Sequence, residues 1–233
     1  MIKIKIADLA IGIENRFHHI ERLAQDYFTD EEPIFTVSVT DSEIEDERKI
    51  SETDCQDGYY ESIVAYRKIA EKLPEYDAFV FHGSVIAMNG EAYIITAHSG
   101  VGKTTHTRLW LSEFSDEASI LNGDKPILRI MDGKVYACGT PWQGKEGYGK
   151  NEILPTRGIA FLYRGDKNRA HEMPTNEAVT RFMSQAYLPK QSRAMLLKTM
   201  QLADKVIKGI RLVHLECNME PEAAHICRAA LTV

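Results

Sequence analysis

Residues 78–105 read AFVFHGSVIAMNGEAYIITAHSGVGKTT, a strand, a turn, a second strand rich in Tyr, Ile and Thr, a glycine loop and the start of a helix. The loop is Ser99-Gly100-Val101-Gly102-Lys103-Thr104-Thr105. Gly100 and Gly102 lack the Cβ atoms that would keep backbone N–H groups from converging on an anion, and the helix that follows turns its positive dipole end to the same spot. Lys103 has the reach for the outer oxygens of a polyphosphate, and the Thr104 hydroxyl is of the kind that holds Mg²⁺. The spacing is that of G-x-x-x-x-G-K-[ST] with Ala97 in place of the first glycine. The expectation is a phosphate-binding loop, with Ser99 to Thr105 on a nucleotide and Thr104 on the metal.

Composition sets the outer bounds. The chain has 233 residues, 44% hydrophobic and 27% charged, which is ordinary for a globular protein. With a net charge of −6 it has no global positive field to draw it to nucleic acid or a membrane surface, and its basic residues are dispersed among acids. The first residues, MIKIKIADLAIGIE, alternate apolar and charged types rather than forming a signal peptide's apolar core, and no apolar run approaches a bilayer's thickness. The expectation is a soluble, cytoplasmic protein. Cys55, Cys138, Cys217 and Cys227 lie far apart with no C-x-x-C pair, so they read as reduced thiols. Cys217, His225 and Cys227 read as packing residues of an amphipathic C-terminal helix rather than a zinc site.

Along the chain, Ile2, Ile4 and Ile6 alternate with lysines as in a half-buried strand, and a second strand follows at 11–14. Phe17, Ile20, Leu23, Ala24 and Tyr27 predict a helix over 16–28, and Pro33 opens a strand over 34–40. The acidic stretch 41–57 reads as a solvated loop or weak helix. A helix is predicted over 59–73, ended by Pro74. The phosphate-loop helix continues over 105–114. Short strands at 120–121, 127–130 and 135–138 follow, the last two joined by an Asp132-Gly133 hairpin turn. Residues 139–152 hold four glycines in eleven positions and read as a loop. A strand over 154–163, a turn over 164–168, helices over 175–187 and 193–209, a strand over 210–216 and a helix over 221–230 complete the chain. The expected division is an N-terminal α/β lobe, 1–75, packed on a catalytic domain, 76–233.

Phosphoryl transfer needs a phosphate cradle, a metal and a residue that takes the acceptor's proton. Asp124 is the candidate for the last: it follows the short residues Asn122 and Gly123 at the tip of an apolar segment, so its carboxylate can project towards the phosphates as a base or as a metal ligand. From the local sequence alone a turn aspartate is an equal reading.

His82-Gly83-Ser84 before a hairpin, then the loop from Ala97 to Thr105, then Asn122-Gly123-Asp124, is a series that resembles the HPr kinase/phosphorylase family over about 79–163. The resemblance implies an α/β (α+β) fold of mixed β-sheets around a P-loop, shared with phosphoenolpyruvate carboxykinases. It implies Lys103 on the β- and γ-phosphates, Thr104 on Mg²⁺, Asp124 as general base and His82 assisting near the acceptor. It also implies assembly as a homo-oligomer. Two departures stand out. The family's first aspartate is Gly123, leaving Asp124 or Glu146 to supply the metal-side carboxylate, and the family's phosphorylase signature is absent, its place taken by Thr140-Pro-Trp-Gln-Gly-Lys-Glu-Gly. The expectation is therefore neither action on HPr nor the reverse phosphorolysis.

In that replacement loop Trp142 reads as a wall for the acceptor and Lys145 as a mobile cation for the transferring group. Arg157, after Pro155, reads as a second clamp. Together these features predict an ATP- and Mg²⁺-dependent kinase acting on a hydroxyl of a small molecule or of a peptide or protein serine. The alternative is an ATP-binding regulatory protein with little catalysis.

Overall fold

The computed structural model describes residues 1–98, 100–144 and 147–232. The isoleucine alternation builds β1 (Ile2–Ile6), which turns through Ala7 and Asp8, at φ of 50° and 57°, into an antiparallel β2 (Leu9–Glu14). Helix α1 (His18–Leu23) is shorter than the apolar spacing predicts, because the chain tightens into one 3-10 turn, Gln25–Tyr27, that still buries Ala24 and Tyr27. Strand β3 (Phe35–Ser38) then adds parallel to β2 and completes a three-stranded sheet.

Of the two readings of the acidic stretch, residues 41–50 take the helical one, as α2 (Asp41–Ile50), and 51–56 are loop. Thr40 and Glu43 form a capping box, the threonine oxygen accepting the Glu43 N–H and the Glu43 carboxylate accepting the Thr40 N–H. Its carboxylates then face cations on α3 (Asp57–Lys72): Glu47 meets Arg67 at 2.8 Å and Glu43 meets Lys68 at 2.6 Å. Helix α3 buries Tyr60, Val64, Ile69 and Ala70 together with Ile4, Ile11, Ile13 and Val37 of the small sheet. The same cluster takes in Ile127, Cys138 and Trp142 from later in the chain.

The remaining strands form one nine-stranded mixed sheet: β4 (Ala78–Val80), β5 (Ser84–Met88), β6 (Glu91–Thr96), β7 (Ala118–Asn122), β8 (Ile127–Met131), β9 (Lys134–Cys138), β10 (Ile153–Arg164), β11 (Arg169–Glu172) and β12 (Arg211–Cys217). The helices are α4 (Lys103–Glu113), α5 (Thr175–Met183), α6 (Arg193–Gly209) and α7 (Glu222–Thr232). Asn89-Gly90 and Asp132-Gly133 both lie at positive φ, which is the hairpin chemistry their sequences predict. Period-two alternation divides the core. Ile94, Ile159, Phe161 and Leu212 face α5 and α6, whereas Tyr93, Ile95, Ala160 and Leu162 face α4 and α7. The architecture is thus mixed α/β, as expected. Strand β11, which pairs antiparallel with β12, lacks the apolar alternation that would have announced it.

Strand β10 belongs to both halves of the sheet. Its residues Ile153 to Pro155 pair antiparallel with β9; it runs parallel to β6 from Thr156, with a register shift between Thr156 and Gly158, and parallel to β12 from Gly158. Pro155, which lacks an N–H, stands at the changeover. The parallel run ends at Arg164, beside the loop that leaves β6.

Candidate active site

Strand β6 is almost wholly buried, and its C-terminal end delivers the glycine loop to the first turn of α4. Gly100 and Gly102 stand at φ of 78° and 126°, and a Cβ on either would meet nothing within 4 Å. Backbone conformation, not crowding, is what requires glycine at these two places, and a side chain there would project into the open side of the loop. Val101 N–H closes a turn on the His98 carbonyl at 3.2 Å. Thr104 and Thr105 are exposed at the N-terminal end of α4, and Lys103 points inward with 14% of its side chain accessible.

Asp124 is held by a turn with its own fastenings. Asn122 is fully buried, and its Oδ1 accepts the N–H groups of Asp124 at 2.9 Å and Lys125 at 2.8 Å. The Asn122 amide donates in turn to the buried Thr140, whose hydroxyl donates to the Lys125 carbonyl. Tyr66, from α3, donates to that same carbonyl at 2.7 Å. Gly83 N–H donates to the Asp124 carbonyl at 3.0 Å, and Ser84 Oγ donates to the Gly123 carbonyl at 2.8 Å. Backbone and side chains from three directions therefore aim one carboxylate.

Lys103, His82 and Asp124 converge. Lys103 Nζ lies 3.0 Å from His82 Nε2 and 3.5 Å from Asp124 Oδ1, and His82 Nε2 lies 3.3 Å from the same Oδ1. A chain of hydrogen bonds orients the histidine ring. Ser184 Oγ gives its one proton to the Arg181 carbonyl, so it must accept from the Gln185 amide nitrogen. Gln185 Oε1 then faces His82 Nδ1 at 2.9 Å and takes its proton. That leaves Nε2 turned to both the Lys103 amine and the Asp124 carboxylate. The Asp124 carboxyl experiences opposing effects: burial pushes its pKa up, and the His82 ring together with the charges of Lys103 and Lys125 overrule it, holding the value at about 2.

No protein-family model matches the chain, and no curated protein matches it. One solved structure with a similar chain path is the Hpr(Ser) kinase/phosphatase from Coxiella burnetii, at 9% identity and a TM-score of 0.35, covering 64% of this chain and 91% of that one. That is a weak resemblance, at the level of the fold.

Of the residues the sequence singled out, His82, Lys103 and Asp124 meet at one point, with Gly100, Val101, Gly102, Thr104 and Thr105 beside them. Ser99, Lys145 and Glu146 lie outside the described residues. Arg157 does not join the site. It is level with Ala92 and Tyr93 at the far end of the parallel strands, roughly 13 Å of strand before Thr96, where it donates to the Thr232 carbonyl and faces Glu91 at 3.8 Å. Trp142 is no acceptor wall: it is 8% exposed, stacked on Tyr66 with ring centroids 4.0 Å apart, and donates its indole N–H to the Ser62 carbonyl. The 139–152 segment packs tightly where it is described, with Lys150 N–H on the Leu121 carbonyl and Gly139 N–H on the Glu152 carbonyl.

Cys217 and Cys227 are buried, while His225 is exposed and bonded to Glu113. Among the described residues no group of three His, Cys, Asp or Glu side chains is arranged to hold a metal ion, and no helix is long and apolar enough to cross a membrane. The sequence reading missed Gln185, Arg181 and Arg164. None sits in a local motif, and each comes to the site only through the pairing of distant elements.

Proposed function

We propose that the chain is a phosphotransferase that binds Mg²⁺-ATP on the glycine loop and transfers the γ-phosphoryl group to a hydroxyl of a small molecule or of a peptide serine. The observation that carries this reading is the convergence of Lys103, at the first residue of the helix after a positive-φ glycine loop, with the buttressed carboxylate of Asp124. The residues present fit the anion: the Cβ-free space at Gly100 and Gly102 is room for phosphate oxygens, and backbone N–H groups at the start of α4 add a positive potential. Thr104, exposed at that helix end, is the hydroxyl that would hold Mg²⁺, leaving the Asp124 carboxylate for the acceptor. The metal, when bound, neutralises charge on the β- and γ-oxygens.

The chain's own groups act in sequence. With its pKa near 2, Asp124 is too weak a base while Lys103 rests beside it. Drawing the ammonium to phosphate oxygens removes a neighbouring positive charge, which raises the carboxylate's basicity when the nucleotide is in place. Asp124 then accepts the acceptor's hydroxyl proton, with His82, oriented by Gln185, beside it.

The test is transfer of label from γ-labelled ATP into pools of polyols, amino acids, nucleosides and serine peptides, with Lys103→Ala as control. Label entering one pool only when Lys103 is intact supports the kinase. Tight ATP binding with label entering no pool removes it. One observation favours a second reading, an ATP-binding regulator: at Gly123, where a second carboxylate would stand, a Cβ would lie 2.4 Å from the Gln143 carbonyl oxygen, so the backbone there excludes a side chain. A regulator keeps its response to ATP in Asp124→Asn, whereas a kinase loses about 10²–10⁴ in rate.

A further inference from the structure

The glycine loop is fastened from behind by a residue outside any phosphate-loop pattern. At the C-terminal end of β10, Arg164 donates from Nε to the Val101 carbonyl at 2.8 Å and from Nη2 to the Gly100 carbonyl. One guanidinium thus takes two successive carbonyls of the loop. A second arginine, Arg181 of α5, donates to His98 Nε2 at 2.9 Å, two residues after the end of β6.

The peptides are trans, and a trans peptide sets its C=O and the following N–H on opposite sides. With the Gly100 and Val101 oxygens drawn to Arg164, the N–H groups of Val101 and Gly102 turn the other way. Val101 N–H is taken by the His98 carbonyl, and by the same trans geometry the Gly102 N–H turns away from the arginine. Around the missing Cβ of each glycine nothing lies within 4 Å. Glycines at φ of 78° and 126° have other backbone wells within reach, so without a fastening each peptide is free to turn over and present an oxygen where an anion needs a donor. Two charge-assisted hydrogen bonds to one rigid fork select a single orientation.

We infer that Arg164 is a positioning residue for anion binding: it holds the Val101–Gly102 peptide with its N–H group towards the phosphates, and keeps the Gly100 and Val101 carbonyl oxygens away from them. This rests on the reading of the loop as a nucleotide site. The arginine acts through the loop and not by touching phosphate, since the Nε and Nη2 donors it directs at the loop are taken by backbone carbonyls.

The experiment measures ATP affinity by titration calorimetry for wild type, Arg164→Ala and Arg164→Lys, across a salt series, with melting temperatures alongside. The expected result is a loss of about 10- to 100-fold in affinity for the alanine variant. The lysine variant, able to reach one carbonyl, falls between. Melting temperatures stay within a few degrees of wild type, and the slope of affinity against salt is unchanged, because no direct phosphate contact is lost. Wild type that binds no ATP overturns the nucleotide site itself. Wild type that binds while Arg164→Ala binds equally well overturns the positioning role alone, as does a shallower salt slope, which would make Arg164 a direct phosphate ligand. If the alanine variant does not fold, Arg164→Lys decides: affinity equal to wild type at equal stability overturns the inference, and an intermediate loss supports it.

Discussion

Replacing Trp142 with alanine separates packing from acceptor binding. The indole is 8% exposed, lies 4.0 Å from the Tyr66 ring at an interplanar angle of 8°, and donates to the Ser62 carbonyl at 3.0 Å. Removing a buried Trp side chain costs about 3–5 kcal/mol in transfer and cavity terms. Taking about 4 kcal/mol, and about 3 °C per kcal/mol for a domain of this size, the melting temperature falls by about 12 °C. Trp142→Phe keeps a ring against Tyr66 and gives up mainly the hydrogen bond, so it loses about 1 kcal/mol, or about 3 °C. Thermal unfolding followed by circular dichroism reads both, and ATP affinity measured well below either transition serves as the control. An alanine variant that melts within about 3 °C of wild type would refute the packing argument and return Trp142 to the acceptor side of the site.

Two further perturbations address the Asp124 turn. The folded-state pKa of Asp124 is depressed to about 2, so its ionised form stabilises the native state, by about 2 kcal/mol from the shift; that contribution is full above about pH 4 and is lost as pH falls from about 4 to 2. The gap in urea midpoint between wild type and Asp124→Asn should therefore narrow over that window, and a gap that does not change with pH counts against the assigned ion pairs. Gly123→Ala puts a Cβ 2.4 Å from the Gln143 carbonyl oxygen, so the 139–152 segment has to retreat; a loss of about 1–3 kcal/mol by urea unfolding is expected, and unchanged stability contradicts the close approach.

Much of the fold was legible because the relevant signals are local. Isoleucine alternation, Asn-Gly and Asp-Gly turns and a glycine loop after a strand each act over a few residues, and the structure repeats them. What was not legible is non-local. The acidic count over 41–57 hid a capping box that needs only Thr40 and Glu43. Trp142 reads as a binding-loop residue among its glycine and charged neighbours, and only the approach of Tyr66, 76 positions earlier, makes it core. Arg157 was placed correctly on its strand, but parallel pairing sets that part of the strand at the end opposite the loop. Gln185 reaches His82 across 103 residues, a separation no motif spans.

The double membership of β10 bears on how the protein is made. Its early partner, β9, and its parallel partner β6 both precede it in the chain, but its other neighbour, β12, does not leave the ribosome until residue 217 has been added. Parallel pairings of this kind close large loops and are slow to form. Arg164 sits on the last turn of that late-completed ladder, paired in register with Cys217. The loop that would grip phosphate is thus synthesised early and acquires its brace last, so a nascent chain stalled before β12 carries the motif in sequence while its geometry is still unset.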